Sequence, residues 1–424
     1  MTEAAGLTQW TARWVFPVGA PPIPDGAVIA QGARILAVGR RPDLAHLGGK
    51  FHDLGEAAIL PGLVNCHTHL ELTALPSIAA TAFVPWVLEL LRLRRPLPPE
   101  EVARSVEAGA AELLRSGTTC VGDVSTGGES LPILRRLGLR GVVFRELLGL
   151  LPVDAEARLR AAQEDLNRMQ AEAAGSRLRP GVAPHSGYAL SEDLLAAAAR
   201  WIREQALPAC LHAAESPAEV EFLARGGGPI RQQLYPAVNC AAPPARRPAQ
   251  SPVAYLDALE AIPPGALIVH AVHVDAADCD ILQRRHARIA HCPRSNARLA
   301  EGRAPVSAFR RRGIPVGLGT DSRASAPSLD LWDEMRAALA ADPGGPQAVL
   351  HMATQGGADA LGLGQEVGSL APGKRADLIA VEARHIHAGD SIGSLVAATR
   401  GEDVLLTIVD GEPRTMRQEA CARC

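Results

Sequence analysis

His67 and His69 stand two apart in NCHTHLEL (65–72), at the end of the apolar run AAILPGLV. In a strand, residues i and i+2 share a face. Both imidazoles therefore aim at one spot, which suits a shared cation better than a packed core. An isolated HxH pair is more often two ordinary histidines, so its meaning depends on partners elsewhere. The chain supplies them. His185 ends APHS, His212 and Glu215 end LHAAE, His270 and His273 lie in VHAVH, His291 lies in AHCPRSN, and Asp321 lies in GTDS. Three imidazoles and one carboxylate suit Zn²⁺, with Fe²⁺ or Mn²⁺ as alternatives. His67, His69, His212 and Asp321 make that set and leave room for a water, which such a cation turns into a nucleophile near neutral pH. Glu215, three residues past His212, is placed to reach a substrate atom rather than the metal, and His270 to flank the water or polarise the group attacked.

Such residues need a frame that gathers strand ends. From Leu60 onward, strand-like runs (LPGLVNCHTH, TTCVGDV, RGVVFRELL, RPGVAPHS, PACLHAAE, ALIVHAVHV, RIAHCPRSN, IPVGLGTDS) alternate with amphipathic stretches such as PPEEVARSVEAGAAELLRSG and SEDLLAAAARWIREQ. Eight such units predict a (β/α)8 TIM-type barrel over 60–365, with its site at the C-terminal strand ends. A doubly wound sheet would give no reason for polar residues at so many strand ends. Short strands punctuated by Gly and Pro before residue 60, and again in GSLAPGKRADLIAVEA and EDVLLTIVDGEPR, predict a small β-sandwich domain built from 1–59 and 366–424. The Gly/Pro-rich stretch 226–251 reads as either a lid or a disordered insertion.

Composition narrows the function classes. The 424 residues are 47% hydrophobic and 21% charged, with net charge -3. There is no basic stripe interleaved with aromatics, which argues against a nucleic-acid partner and for a small-molecule substrate. No apolar run reaches the roughly 18 residues of a membrane span. The N-terminus lacks a basic-then-apolar segment, so a cytoplasmic location is expected. Most of the eight cysteines sit singly in apolar runs, as reduced thiols do. Cys421 and Cys424 form a lone C-x-x-C, read as a frayed tail. Association as a homodimer is left open.

Taken together, NCHTHLEL, HAAE, VHAVH, AHCPRSN, GLGTDS and GSLAPGKRADLIAV resemble the amidohydrolase superfamily over residues 12 to 410 or so, and within it the mononuclear-metal deaminases and chlorohydrolases. The resemblance implies that barrel and split sandwich belong together. It implies metal binding by His67, His69, His212 and Asp321, and catalysis by Glu215, His270 and Asp321, the last passing a proton from water to the leaving group. His273 has no assured role in the family. Binuclear members bridge their metals through a modified lysine of the fourth strand, whereas here lysine occurs only at Lys50 and Lys374, outside the barrel. That favours one metal ion.

Within the branch, HTHLEL, LHAAESPAEVEFLARGGGPI and SPVAYLDAL are most similar to bacterial 6-aminodeoxyfutalosine deaminases of menaquinone synthesis. Methylthioadenosine/S-adenosylhomocysteine deaminases come next. By that resemblance His185, Trp86 and Arg145 contact substrate, Arg145 pairing with a benzoate carboxylate. Glu71 and Glu146 are weaker candidates that could equally satisfy arginines. SRASAPSL departs from the Ala-Ser-Asn common after GTDS in the branch, placing Ala326 and Pro327 there. Guanine and triazine aminohydrolases are the alternatives. A catalytically inactive scaffold is the alternative from another class, weakened because all four ligands are present.

Overall fold

The computed structural model describes residues 6–417 except 96, 241–245 and 342–343. Its centre is two four-stranded parallel sheets. One orders Leu63–Thr68, Thr118–Ser125, Arg140–Leu147 and Leu178–Pro184; the other orders Cys210–Ala213, Leu267–His270, Arg288–His291 and Val316–Leu318. Isolated parallel bridges join the two sheets at both edges: Val182 with Ala209 and Ser186 with His212 on one side, Thr68 with Asp321 on the other. The expected TIM-type architecture is therefore present, its seams bridged by single pairs rather than full ladders.

Strands covered on both faces read as unbroken apolar runs, and their period of two still sorts the side chains. Val142, Phe144, Ala183 and Cys210 pack in one inner cluster with Val64, Cys66, Cys120 and Cys292. Val143 faces the outer helices instead, and so do Val182 and Leu211. The two amphipathic stretches named above form helices at Pro99–Arg115 and Glu192–Glu204. Ser191 caps the second by accepting the Leu194 N–H.

The terminal strands form one eight-stranded sheet in which Ala57–Pro61 pairs on one edge with Leu378–Glu382 and on the other with Leu7–Val15. Both chain ends thus meet in a single ladder. Alternation explains why AAILP is buried throughout. Ala57 and Ile59 join the sheet's own core with Leu378 and Ala380, while Ala58 and Leu60 join the main core with Ile379 and Val381. Beneath the barrel, Arg140 fastens this sheet to the third barrel strand. Its guanidinium, 3% exposed, lies 2.8 Å from Asp377 and 2.6 Å from Asp410. The six cysteines among the described residues are unpaired and buried; Cys421 and Cys424 lie outside them. No helix among the described residues is long and apolar enough to cross a membrane.

Arg140→Ala leaves the Asp377 carboxylate buried without its cation, while Asp410 keeps Arg177. It is expected to lower unfolding free energy by about 3–5 kcal/mol, read from denaturant midpoints at unchanged m-value. A loss within about 0.5 kcal/mol would show that the clamp carries no net stability.

Candidate functional site: a histidine-carboxylate centre

The seam between the first and eighth strands builds the centre. Asp321 takes a left-handed backbone, φ 58°, and its N–H donates to the His67 carbonyl at 3.0 Å. That bond brings its carboxylate over the first strand. Gly319 is needed nearby, because a Cβ there would fall 2.9 Å from that of His67. The Asp321 Oδ1 lies 3.8 Å from Nε2 of both His67 and His69. Its Oδ2 accepts hydrogen bonds from Ser295 and Ser325 at 2.7 and 2.8 Å. The other seam brings in His212, whose N–H donates to the His185 carbonyl at 2.7 Å. Nε2 of His212 is then 3.3 Å from Nε2 of His67, and one nitrogen each from His67, His69 and His212 lie within 4.8 Å of one another.

This donor set fits a divalent cation. Two nitrogens each about 2.0–2.1 Å from one zinc ion lie roughly 3.3 Å apart at tetrahedral angles. Burial pushes the pKa of His67, His69 and His212 down, which favours the neutral form that keeps a lone pair. Burial pushes Asp321 up, but the facing His69, His270 and His67 outweigh it and hold the carboxyl below its ordinary value.

Next to the centre stand Glu215 and His270, with Glu215 Oε1 3.4 Å from His270 Nε2. Asn296 Oδ1 sits 2.8 Å from His270 Nδ1, which assigns the ring proton to Nδ1 and turns Nε2 toward Glu215. Glu215 follows Ala214, at φ 54°, and its N–H is held by Glu219 at 2.8 Å. Burial, reinforced by the charge of Asp321, pushes the Glu215 carboxyl well above its ordinary value.

Above them opens a cavity of about 350 Å³ with a largely apolar wall. One face of the helix Phe83–Arg94 supplies Phe83, Trp86, Val87, Leu90, Leu91 and Arg94, at helical spacing. Leu148 and Leu151 stand opposite, 40% and 38% exposed. The stretch 226–251 contributes Leu234, Tyr235, Val238 and Cys240 to the rim. Arg246 donates to the carbonyls of Gly187 and Leu190, and residues 241–245 of the stretch read as lid or insertion lie outside the described residues.

His67 and the other expected metal ligands converge, with Glu215 and His270 beside them. His185 lines the cavity and stacks on His212 at 4.6 Å between centroids. Trp86 lines it too, its indole N–H donating to the Ala324 carbonyl at 3.1 Å, so it also packs as a structural residue. Glu146 continues the inward row after Phe144 and reaches the cavity. Arg145 does not: as its strand neighbour it points the other way, onto Asp165 of the helix Ala155–Ala173 at 2.8 Å. The expectation that Arg145 meets substrate is corrected on that ground. Glu71 is not in the cavity wall; it binds Arg94 at 3.2 Å from behind. His273 and His291 are not in the wall either, and burial lowers the pKa of both, His291 to about 4. Arg94, Ser295, Ser325 and Asn296 escaped the sequence reading. The helical spacing of FVPWVLELLRLR held a signal for Arg94; Ser295 and Asn296 lie inside a motif whose histidine took the attention.

A barrel whose strand ends gather three imidazoles, an aspartate and a buried acid is a hydrolase architecture. The chain belongs to the amidohydrolase family, whose model matches residues 58–414, and it is a hydrolase acting on C–N bonds. It is 33% identical over 407 residues to a 5-methylthioadenosine/S-adenosylhomocysteine deaminase of Pelotomaculum thermopropionicum, covering 92% of this chain and 88% of the relative. The same-named protein of Nitratidesulfovibrio vulgaris is 35% identical over 435 residues, 96% of this chain and 89% of the relative. An adenosine deaminase of Xanthomonas campestris with bound zinc superposes with a TM-score of 0.82 at 26% identity, covering 97% and 93% of the two chains. An aminofutalosine deaminase of Helicobacter pylori shares the fold, with a TM-score of 0.80 at 21% identity over 96% and 99%.

Protein purified with Zn²⁺ in the medium is expected to carry about one ion per chain. His67→Ala and His212→Ala should each hold less than a tenth of that by elemental analysis. Undiminished metal in both variants would place the ion elsewhere.

Proposed function

We propose that this hydrolase deaminates an adenine nucleoside bearing an apolar 5′ substituent, with 5′-methylthioadenosine as the type, and releases ammonia. What carries the reading is the joint placement of the histidine-aspartate centre, the buried acid Glu215 and an apolar wall around one cavity. The centre and acid suit attack on an amidine-like ring carbon, and the wall suits a thioether rather than a charged tail. The names of the relatives point the same way.

A divalent cation, when bound by His67, His69, His212 and Asp321, supplies the Lewis acidity that lets water attack at neutral pH. The rest falls to side chains. Glu215, its carboxyl raised by burial, donates to the ring nitrogen next to the carbon under attack, so that charge does not build up on a poor acceptor. Asp321, with Oδ2 fixed by two serines, has Oδ1 available to take the water's proton and pass it to the departing amine. His270, oriented by Asn296, holds the other side of the attacked carbon. His185, stacked on His212, and Trp86 bound the ring.

A second reading keeps 6-aminodeoxyfutalosine, and with it a role in menaquinone synthesis. Arg158 favours it, since it stands in the cavity wall near Leu148, where it could meet a benzoate carboxylate. The withdrawal of Arg145 onto Asp165 weighs against it.

Ammonia release should be compared for 5′-methylthioadenosine, S-adenosylhomocysteine, adenosine, 6-aminodeoxyfutalosine, guanine and an aminotriazine. The thioether nucleoside is expected to have the highest kcat/KM. Turnover of guanine or the triazine, with none of the adenine nucleosides, would overturn the reading. Glu215→Gln should keep its metal and lose on the order of 10²–10⁴ in kcat; turnover at the wild-type rate would remove Glu215 from the mechanism.

A further inference from the structure

Two buried carboxylates share one guanidinium at the side of the cavity, and they are not equivalent. Glu71 is filled: its oxygens accept the Thr126 N–H at 2.8 Å, the Thr126 hydroxyl at 2.6 Å and the Ser125 hydroxyl, with Arg94 at 3.2 Å. Glu146, equally buried at 5% exposed, has looser neighbours, Arg94 Nη1 at 3.6 Å and His185 Nε2 at 4.0 Å. A carboxylate offers roughly four acceptor sites, so Glu146 keeps capacity that Glu71 has spent. Glu146 and Arg94 both stand in the cavity wall, and Glu71 does not. Arg94 and the nearby His185 and His69 hold the Glu146 carboxyl below its ordinary value against the burial that pushes it up. A buried, ionised acceptor whose nearest neighbours stand at 3.6 and 4.0 Å is costly unless something donates to it more closely.

We propose that Glu146 is a hydroxyl-binding subsite, its carboxylate accepting the vicinal hydroxyls of a sugar carried by the reacting ring, and that Arg94 is the residue that positions it. The subsite rests on the adenine-nucleoside reading above. Glu146 follows the inward parity of Phe144 and lies beside His185, which stacks on the candidate ligand His212. A ring engaged by Glu215 and His270 can therefore extend its sugar along the first sheet toward Glu146, leaving the 5′ group to the leucines of the wall. Arg94, the last residue of the helix Phe83–Arg94, is anchored by the saturated Glu71 and so cannot follow the substrate; it fixes where Glu146 waits.

The test compares kcat/KM for a 5′-thioether adenine ribonucleoside and its 2′,3′-dideoxy counterpart, which differ only in the hydroxyls. Wild type is expected to prefer the ribonucleoside by at least about 10-fold. Glu146→Ala should bring that ratio close to one, and Glu146→Gln, which keeps one acceptor oxygen, should leave an intermediate ratio. Arg94→Met should shrink the ratio mainly through KM of the ribonucleoside, with Arg94→Lys restoring part of it. If Arg94→Met does not fold, the two Glu146 variants decide the matter. A wild-type preference that persists in Glu146→Ala would reduce Glu146 to a counter-ion for Arg94. Equal turnover of both nucleosides by wild type would defeat the subsite alone, whereas no turnover of either, with another amine hydrolysed, would defeat the substrate reading and the subsite with it.

Discussion

The constraint on which the rest depends is the closure of the strand ring through single backbone pairs. Thr68 bridges Asp321 and Ser186 bridges His212, and no longer ladder joins the two sheets at those edges. Metal-type donors are carried at the seams themselves, so forming the ring and assembling the centre are one event. A longer ladder would hold Asp321 in extended backbone. The break lets it turn to φ 58° and swing its carboxylate across to His67 and His69. Ala214 and His270 also have positive φ at their strand ends. Strained backbone of this kind persists only where the surroundings over-determine it. Here the surroundings are specific: Glu219 holds the Glu215 N–H, Asn296 holds the His270 ring, and Ser295 with Ser325 holds Asp321.

Beneath the centre the barrel interior is narrow, and the chain fills it with small side chains. Cys66, Cys120, Cys210 and Cys292 pack there with Val64, Ala183 and Ala290. Burial pushes their thiols up, Cys120 to about 12, so they behave as small hydrophobes rather than nucleophiles or metal ligands. The groups that would hold a cation at the strand ends are thus nitrogen and oxygen donors, with inert thiols packed in the barrel interior. The low aromatic content fits this interior, since bulkier rings would displace the histidine layer that rests on it. Phe144 is the one aromatic of that inner cluster among the described residues; other large side chains go to the cavity wall, as Phe83 and Trp86 do, and to the outer core, as Trp332 and Phe309 do.

Much of this was legible in the chain because motif and strand end coincide. His67, His69, His212 and Asp321 each follow an apolar run, and a run that ends in a polar residue marks both the strand and its functional end. The pairing of the two chain ends in one sheet was readable from the Gly-punctuated strands on either side of the barrel. What escaped reading was orientation one residue at a time. FRELL contains an arginine and a glutamate side by side, and the sequence offers both as substrate contacts with the arginine as the stronger candidate. The alternation fixed by Phe144 sends Glu146 inward and Arg145 out to Asp165. The cations of the cavity wall, Arg94 and Arg158, come instead from helices outside the strand pattern, where no strand motif could point to them. The serines behind Asp321 were hidden for a different reason: a hydroxyl that only buttresses another side chain leaves no signature in spacing or composition.

The deepest consequence of the arrangement is that one cavity pushes two glutamates in opposite directions. Glu215 and Glu146 are equally buried, each 5% exposed, so desolvation alone would protonate both. Their neighbours separate them. Glu215 faces the charge of Asp321, which adds to burial and raises its carboxyl further; Glu146 faces Arg94, His185 and His69, which overcome burial and lower it. A raised and a lowered carboxyl thus stand in one pocket without any difference in depth, set apart by which strand each follows and what that strand's neighbour carries. Exchanging the two neighbourhoods would leave every residue type in place and yet reverse which carboxyl is raised. The positions of Asp321 and Arg94, rather than the glutamates themselves, therefore define the polarity of the site, with the raised carboxyl toward the aspartate and the lowered one toward the arginine.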